Sequence, residues 1–304
     1  MEYRETEGLV RKCVGGFYTI ETQDGFYTVT ARGRFRKEGV SPYAGDWVRV
    51  SVTDEDRTGA LIEIGPRKNA LVRPPLANLD RLFVVCAAKD PAPVPLLIDK
   101  TVAAAELSGI EPVVVFTKAD LSDGSLEKLA EAYRVAGLTC CLVSSVTGSG
   151  VQEVRELLKG CVSAFTGNSG VGKSTLLNAL FPELELRTGE ISQKLGRGRH
   201  TTREVELYKL DDGSYVADTP GFSTFELTRY RLTDKEKLIE GFREMAPLAG
   251  DCQFSTCSHT CEKGCAVLAG VKKGVVPKTR HESYVQMYQE IKDVKQWQQK
   301  KGNA

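Results

Sequence analysis

The stretch "GNSGVGKST" spaces its residues as G-x-x-x-x-G-K-[ST], a pattern that can hold phosphate. It follows the strand-like "VSAFTG" and precedes the helical "STLLNALF", the setting this chemistry requires. Gly167, Asn168, Ser169, Gly170, Val171, Gly172, Lys173, Ser174 and Thr175 form the candidate cradle. Its glycines let successive backbone N–H groups turn inward around phosphate oxygens, and the helix N-terminus adds its positive dipole end. Lys173 would reach the β- and γ-phosphates, and Ser174 would offer its hydroxyl to Mg²⁺. Two further pieces follow. "VADTPG" ends a strand in Asp218, suited to hold Mg²⁺ through water, and the Gly221 N–H can touch a γ-phosphate. Between them, "GRGRHTTR" has the glycines and threonines of a mobile segment, from which Thr201 or Thr202 would supply a second protein oxygen to Mg²⁺.

Base recognition comes earlier in the chain. The strand-like "EPVVVF" delivers Thr117-Lys118-Ala119-Asp120 to a turn, where Asp120 can accept the N1 and N2 hydrogens of guanine while the Lys118 stem packs along the base. "VSSVTGSG" adds Ser144 and Ser145 to the rim of such a pocket. These segments precede the phosphate loop, so the expected order of a guanine-nucleotide domain has been cut and rejoined, the join lying at "GVQEVRELLKGCVSAF". Permutation preserves a site when the old chain ends are close. The γ-phosphate-sensing segment would then lead straight into the C-terminal region.

A third cluster points to a metal. "CQFSTCSHTCEKGC" places four cysteines and one of three histidines within fourteen residues. Cys252, Cys257, His259 and Cys265 make a Cys₃His set for Zn²⁺, with Cys261 either a spare thiol or a replacement ligand. Four protein ligands close the site, which makes it structural. The chain's nine cysteines and the absence of an export signal disfavour a disulfide framework.

The elements that must position these groups fall into three regions. Residues 7–66 read as short strands broken by turns, with no useful helical period, which predicts a five-strand barrel of OB type or SH3 type. "RKNALVRPPLAN" reads as a proline-interrupted linker. From Leu79 apolar runs alternate with helical patterns, the texture of a mostly parallel sheet covered on both faces. After Leu227 no strand is expected. A last helix carries Tyr284, Tyr288, Ile291 and Val294 every three or four residues, a stripe read as core. The domains predicted are 1–68, an OB-type barrel expected to bind RNA; 69–227, a permuted α/β P-loop domain; and 228–304, a mostly helical zinc-binding domain.

Composition bounds the setting. With 304 residues, 41% hydrophobic and 27% charged, the chain can bury two or three cores. No apolar run approaches the roughly 20 residues of a bilayer span, and the charged start has no signal-peptide apolar region. A cytoplasmic monomer without membrane contact is expected. The net charge of +1 argues against a uniformly basic nucleic-acid binder, but local excess remains. Val271 to Ala304 holds eight Lys/Arg against three Asp/Glu, and "ARGRFRK" holds Arg32, Arg34, Arg36 and Lys37. If "ARGRFR" is a strand, its three guanidinium groups leave one face and can meet an RNA backbone.

Taken in order, the barrel, "TKAD", "SSV", "GNSGVGKST", "GRGRHTT", "DTPG" and C-x4-C-x-H-x5-C closely resemble the small-ribosomal-subunit-dependent, circularly permuted GTPases of bacteria over nearly the full length. The resemblance implies GTP hydrolysis with Mg²⁺, a zinc domain, late maturation of the 30S subunit through 16S rRNA contact, stimulation by that subunit and release on hydrolysis. Thr117 stands where G proteins usually carry asparagine. Phe222 replaces a water-orienting glutamine and cannot orient water by hydrogen bonding, so slow intrinsic hydrolysis is expected. His200, beside the threonine pair, is the candidate to approach the attacking water. The rival readings are a signalling or transport GTPase and a nucleic-acid-binding module with a vestigial nucleotide site; Asp120, Lys173, Ser174 and Asp218 argue against the second.

Overall fold

Five strands rich in valine, tyrosine and threonine open the chain: β1 (Arg4–Val14), β2 (Phe17–Thr22), β3 (Gly25–Ala31), β4 (Trp47–Thr53) and β5 (Thr58–Ile64). The computed structural model describes residues 3–31, 33, 35, 39–71, 74–182, 205–210, 212–218, 232 and 234–292. Inward-pointing Val10, Ile20, Tyr27, Val29, Val48, Val50, Val52 and Leu61 form one core. Each such burial contributes about 1.5–3 kcal/mol. Gly15 and Gly16, with φ of 58° and 87°, make the two-residue β1–β2 turn whose twist matches the strands. The pairing runs β1–β2–β3–β5–β4 and returns from β4 to β1, with β3 and β5 parallel. This closed five-strand Greek key is OB-like, which resolves the choice of barrel type.

Two local expectations change. β3 ends at Ala31, and Gly33 and Phe35 have helical backbone, so "ARGRFR" is not an extended strand. The reason is apolar burial, because Phe35 turns its ring into the barrel core. Arg32, Arg34 and Arg36 themselves lie outside the described residues. The supposed linker is also folded, as β6 (Ala70–Leu71) and β7 (Leu76–Ala77) pair in a short hairpin. Leu71, Leu76 and Leu79 are buried there, and the Asn69 side chain both donates to Leu79 O (2.8 Å) and accepts from Leu79 N (2.9 Å).

Next come β8 (Arg81–Ala87), α1 (Pro95–Glu106), β9 (Glu111–Thr117), α2 (Ser125–Val135), β10 (Thr139–Leu142), α3 (Val151–Leu158), β11 (Val162–Thr166), α4 (Lys173–Leu180), β12 (Val205–Lys209) and β13 (Tyr215–Asp218). Among the described residues the remaining helices are α5 (Ala246–Ala249), α6 (Ala266–Lys272) and α7 (Lys278–Ile291), after a 3₁₀ turn at Leu238–Gly241. Among the described residues no strand follows β13.

The chain groups into two units. One comprises Met1–Asp80, Leu158–Ala164 and Gly189–Phe222. In it β11 pairs parallel with β13, β13 antiparallel with β12, and β12 antiparallel with β1, so these strands are sewn onto the barrel.

The other comprises Arg81–Leu157, Phe165–Thr188 and Ser223–Ala304. Its strands β10, β9 and β8 are parallel and almost wholly buried, as expected where helices cover a sheet. The C-terminal helices share a core of Leu238, Phe242, Met245, Val267, Tyr284 and Met287. Tyr288 packs partly against it, as the stripe predicted, while Val294 lies outside the described residues. Arg280 of α7, almost fully buried, bonds Asp99 of α1 at 2.8 Å and Glu244 at 2.9 Å. Arg243 bonds Glu106 at 2.5 Å and Glu111 at 2.8 Å. Losing one member of the buried set would strand a charge, which costs about 3–5 kcal/mol.

Candidate nucleotide and metal sites

β11 runs directly into the phosphate-loop sequence, and α4 begins at Lys173. Steric demand explains two of its glycines. A Cβ on Gly167 would lie 2.4 Å from Val85 O of β8, and Gly172, at φ 82°, would bring one to 3.3 Å from Thr117 Oγ1. Val171 is buried and anchors the loop, while Asn168, Ser169, Gly170, Ser174 and Thr175 are exposed and Lys173 is half-buried.

The segment Thr117 to Asp120, predicted to recognise the base, is tied to this loop through main-chain oxygens. Thr117, buried at the end of β9, directs its hydroxyl at Val171 O and Cys86 O, the latter at 3.1 Å. Lys118, in left-handed backbone at φ 55°, donates its ammonium to Gly170 O (3.0 Å), Lys89 O (3.2 Å) and Asp90 O. All three ammonium donors therefore hold loops together. Asp120 is exposed on a single 3₁₀ turn. Ala119 N donates to Val143 O at 3.1 Å, which joins this turn to the serine segment. Ser144 is buried and its Oγ accepts from Thr147 N at 3.2 Å; Ser145 is half-buried.

The cysteine-rich segment brings four donors together. One ligand atom from each of Cys252, Cys257, His259 and Cys265 lies within 4.8 Å of the others. Cys252 Sγ is 3.4 Å from His259 Nδ1 and 3.9 Å from Cys265 Sγ, and Cys265 Sγ is 3.7 Å from His259 Nδ1. Tetrahedral Zn²⁺, with Zn–S about 2.3 Å and Zn–N about 2.0 Å, needs edges of roughly 3.5–3.8 Å, so the donor set fits that ion. Cys261 is exposed and outside the set. Burial holds His259 below the usual imidazole range, neutral as a ligand must be, and pushes the Cys257 thiol up to about 12, so a cation would displace its proton.

Surrounding groups position these donors. His281 Nε2, on α7, lies 2.8 Å from His259 O, and Tyr284 OH donates to Ser258 O at 3.1 Å. Glu262 accepts from Ser258 N (2.7 Å), Thr260 N (3.0 Å) and Cys261 N (3.1 Å), and from the Ser258 hydroxyl. Burial raises its pKa, but these donors outweigh burial and bring it to about 2.

Residues 64–228 match the model of the RsgA GTPase family, and residues 7–61 match the RsgA N-terminal domain. The chain belongs to the RsgA GTPase family. One curated relative, named small ribosomal subunit biogenesis GTPase RsgA, from Caldanaerobacter subterraneus, is 42% identical over 94% of this chain and 96% of its own. A relative of the same name from Streptococcus pneumoniae is 42% identical over 94% and 95%. Among solved structures, YjeQ from Thermotoga maritima superposes with a TM-score of 0.81 at 33% identity, covering 96% of this chain and all of that one. YloQ, described as a circularly permuted GTPase, gives 0.79 at 32% identity over 96% of each. RsgA-family membership makes the chain a GTP-hydrolysing enzyme and implies GTP and Mg²⁺ as its ligands.

Within this RsgA-family chain the predicted site residues fall as follows. Thr117, Lys118, Asp120, Ser144, Ser145 and Gly167 through Thr175 belong to one unit. Asp218 ends β13 in the other unit. His200, Thr201, Thr202 and Gly221 lie outside the described residues. Sequence reasoning missed the Lys89–Asp90 carbonyls that take the Lys118 ammonium; the Asp90-Pro91 turn signal was the available hint. It also missed Glu262, whose spacing carries no signal before the fold is known.

For the metal cluster, Cys252→Ser or Cys265→Ser should reduce bound zinc from one equivalent to less than about a tenth and loosen the C-terminal region, with little change in nucleotide affinity. Metal analysis and limited proteolysis check this. Wild-type protein holding under about half an equivalent with that region still folded would refute the site.

Proposed function

We propose that this chain is an assembly factor that binds 16S rRNA surfaces of the 30S subunit late in maturation and couples GTP hydrolysis to its own release. It would act in the cytoplasm as a monomer, with domains at 1–68, 69–227 and 228–304. The observation that carries the nucleotide reading is the tie between the base-recognition strand and the phosphate loop, made by Thr117 and Lys118 to Val171 O and Gly170 O. Support for the ribosomal role comes from relatives that bear the name small ribosomal subunit biogenesis GTPase along nearly their whole length. Among the described residues no helix is long and apolar enough to cross a membrane.

In this reading Asp120 accepts the guanine N1 and N2 hydrogens, Ser144 and Ser145 border the base, and Gly167 to Thr175 cradle the phosphates with Lys173 on the β- and γ-groups. Thr117 acts by holding the loop in register. Ser174, Thr201 or Thr202, and Asp218 would hold Mg²⁺, which would supply charge neutralisation at the phosphates. The Gly221 N–H would meet the γ-phosphate, and His200 would orient the attacking water, a task Phe222 cannot perform by hydrogen bonding. Cys252, Cys257, His259 and Cys265 would hold Zn²⁺ as a structural ion.

The test is phosphate release from GTP and from ATP, with and without purified 30S subunits, together with co-sedimentation in GDP and in a non-hydrolysable GTP analogue. Stimulation of GTP turnover by at least about tenfold is expected, with tighter sedimentation in the analogue. Equal turnover with and without subunits, and no sedimentation in either nucleotide, would reject the ribosomal role.

A further inference from the structure

The strand pair that ends at Asp218 is joined to the barrel by a polar knot as well as by sheet hydrogen bonds. β12 pairs with β1 at Cys13↔Val205 and Lys12↔Glu206, where Lys12 Nζ meets Glu206 Oε2 at 2.8 Å. The register of β1 against β2 slips between Val10 and Lys12, leaving Arg11 at a bulge, a device that re-aims a side chain. Arg11 Nε and Nη2 donate to Leu207 O in the middle of β12, at 2.8 and 2.5 Å. Its Nη1 bonds Glu21 of β2 at 2.6 Å, and its guanidinium lies 4.9 Å over the Tyr215 ring of β13.

Glu21 completes the knot from the barrel side. Its carboxylate accepts from Lys209 at the end of β12 (2.7 Å) and from the Tyr215 hydroxyl (2.9 Å). Arg11 and Glu21 side chains are only 11% and 15% exposed, so water and salt screen them far less than a surface pair. A barrel tethered as an independent arm would need none of these contacts. Here Tyr215, three residues before Asp218 on β13, is held by a barrel carboxylate.

We infer that Arg11 and Glu21 are positioning residues through which the barrel sets the β12–β13 pair, so that a partner seated on the barrel changes GTP hydrolysis through this knot. The same knot ties the equilibrium conformation of the β12–β13 pair to the barrel, and because coupling between binding equilibria is reciprocal, nucleotide state then registers on the barrel as well. The partner half of the inference rests on the ribosomal role proposed above; the nucleotide half rests only on the proposed contact of Asp218 with Mg²⁺.

Hydrogen exchange on the full chain tests the nucleotide half, comparing GDP with a non-hydrolysable GTP analogue and Mg²⁺. Amides of β1 and β2 should change exchange rate by about fivefold or more between the two nucleotides in wild type, and lose that difference in Glu21→Gln. Tyr215→Phe, which removes one hydroxyl without changing core volume, should lose part of it and serves should Glu21→Gln fail to fold. With purified 30S subunits, Glu21→Gln should lower the stimulated rate about tenfold, by more than it lowers the basal rate, while subunit affinity in GDP stays within about twofold, and Glu21→Asp should recover part of the stimulation. Barrel amides that exchange identically in both nucleotides in wild type, or variants stimulated as fully as wild type, would overturn the inference. A wild type that subunits do not stimulate counts against the ribosomal reading, and the exchange comparison then still decides the knot.

Discussion

Lys173→Ala is expected to abolish GTP turnover, lowering kcat by about a thousandfold or more, because positioning and charge stabilisation carry nearly all of phosphoryl-transfer catalysis. Lys173 opens α4 immediately after Gly172, whose φ of 82° turns the loop into the helix. The substitution removes an ammonium from the position where β/γ-phosphate charge is expected and leaves the glycines and the buried Val171 anchor untouched. Alanine is also the strongest helix former, so α4 should persist. Single-turnover phosphate release gives the rate, and thermal unfolding and zinc content should match wild type. A variant that keeps more than about a tenth of wild-type turnover would place the phosphate chemistry elsewhere.

Asp120→Asn is expected to weaken GTP about a hundredfold or more, since two charge-assisted hydrogen bonds are each worth roughly 1.5–3 kcal/mol. The asparagine amide presents one donor and one acceptor to guanine's two donors. Xanthosine triphosphate, which carries a carbonyl where guanine carries its amino group, should bind better to the variant than to wild type. The exchange should not disturb the fold, because Asp120 is exposed and the loop is held by Thr117 and Lys118. Competition binding with GTP, xanthosine triphosphate and ATP separates these effects. If wild type hydrolyses ATP as readily as GTP, the base-recognition assignment of Thr117 to Asp120 is wrong.

What the sequence determined by itself was whatever depends on residues close together in the chain. The phosphate loop, the "TKAD" turn, the strand alternation of the barrel and the Cys₃His set were all legible, because strand period, glycine spacing and ligand spacing are local. The short spacing of Cys252, Cys257, His259 and Cys265 let a single chain segment bring four donors within 4.8 Å. The tertiary structure alone decided what depends on long-range contact. The role of Thr117 turns on a carbonyl at Val171, far along the chain, which orders the hydroxyl toward the loop in place of a base. "ARGRFR" alternates like a strand, yet burying the Phe35 ring in the barrel core outweighs that pattern. "RKNALVRPPLAN" has the prolines of a linker, yet Asn69 and three buried leucines close it into a hairpin. The Arg11–Glu21 knot joins residues nearly two hundred positions apart to Leu207, Lys209 and Tyr215, and no periodicity in one segment records the charge of another. Only sheet pairing of β1 with β12 brings them within hydrogen-bond reach, which is why the link from barrel to hairpin is a property of the fold.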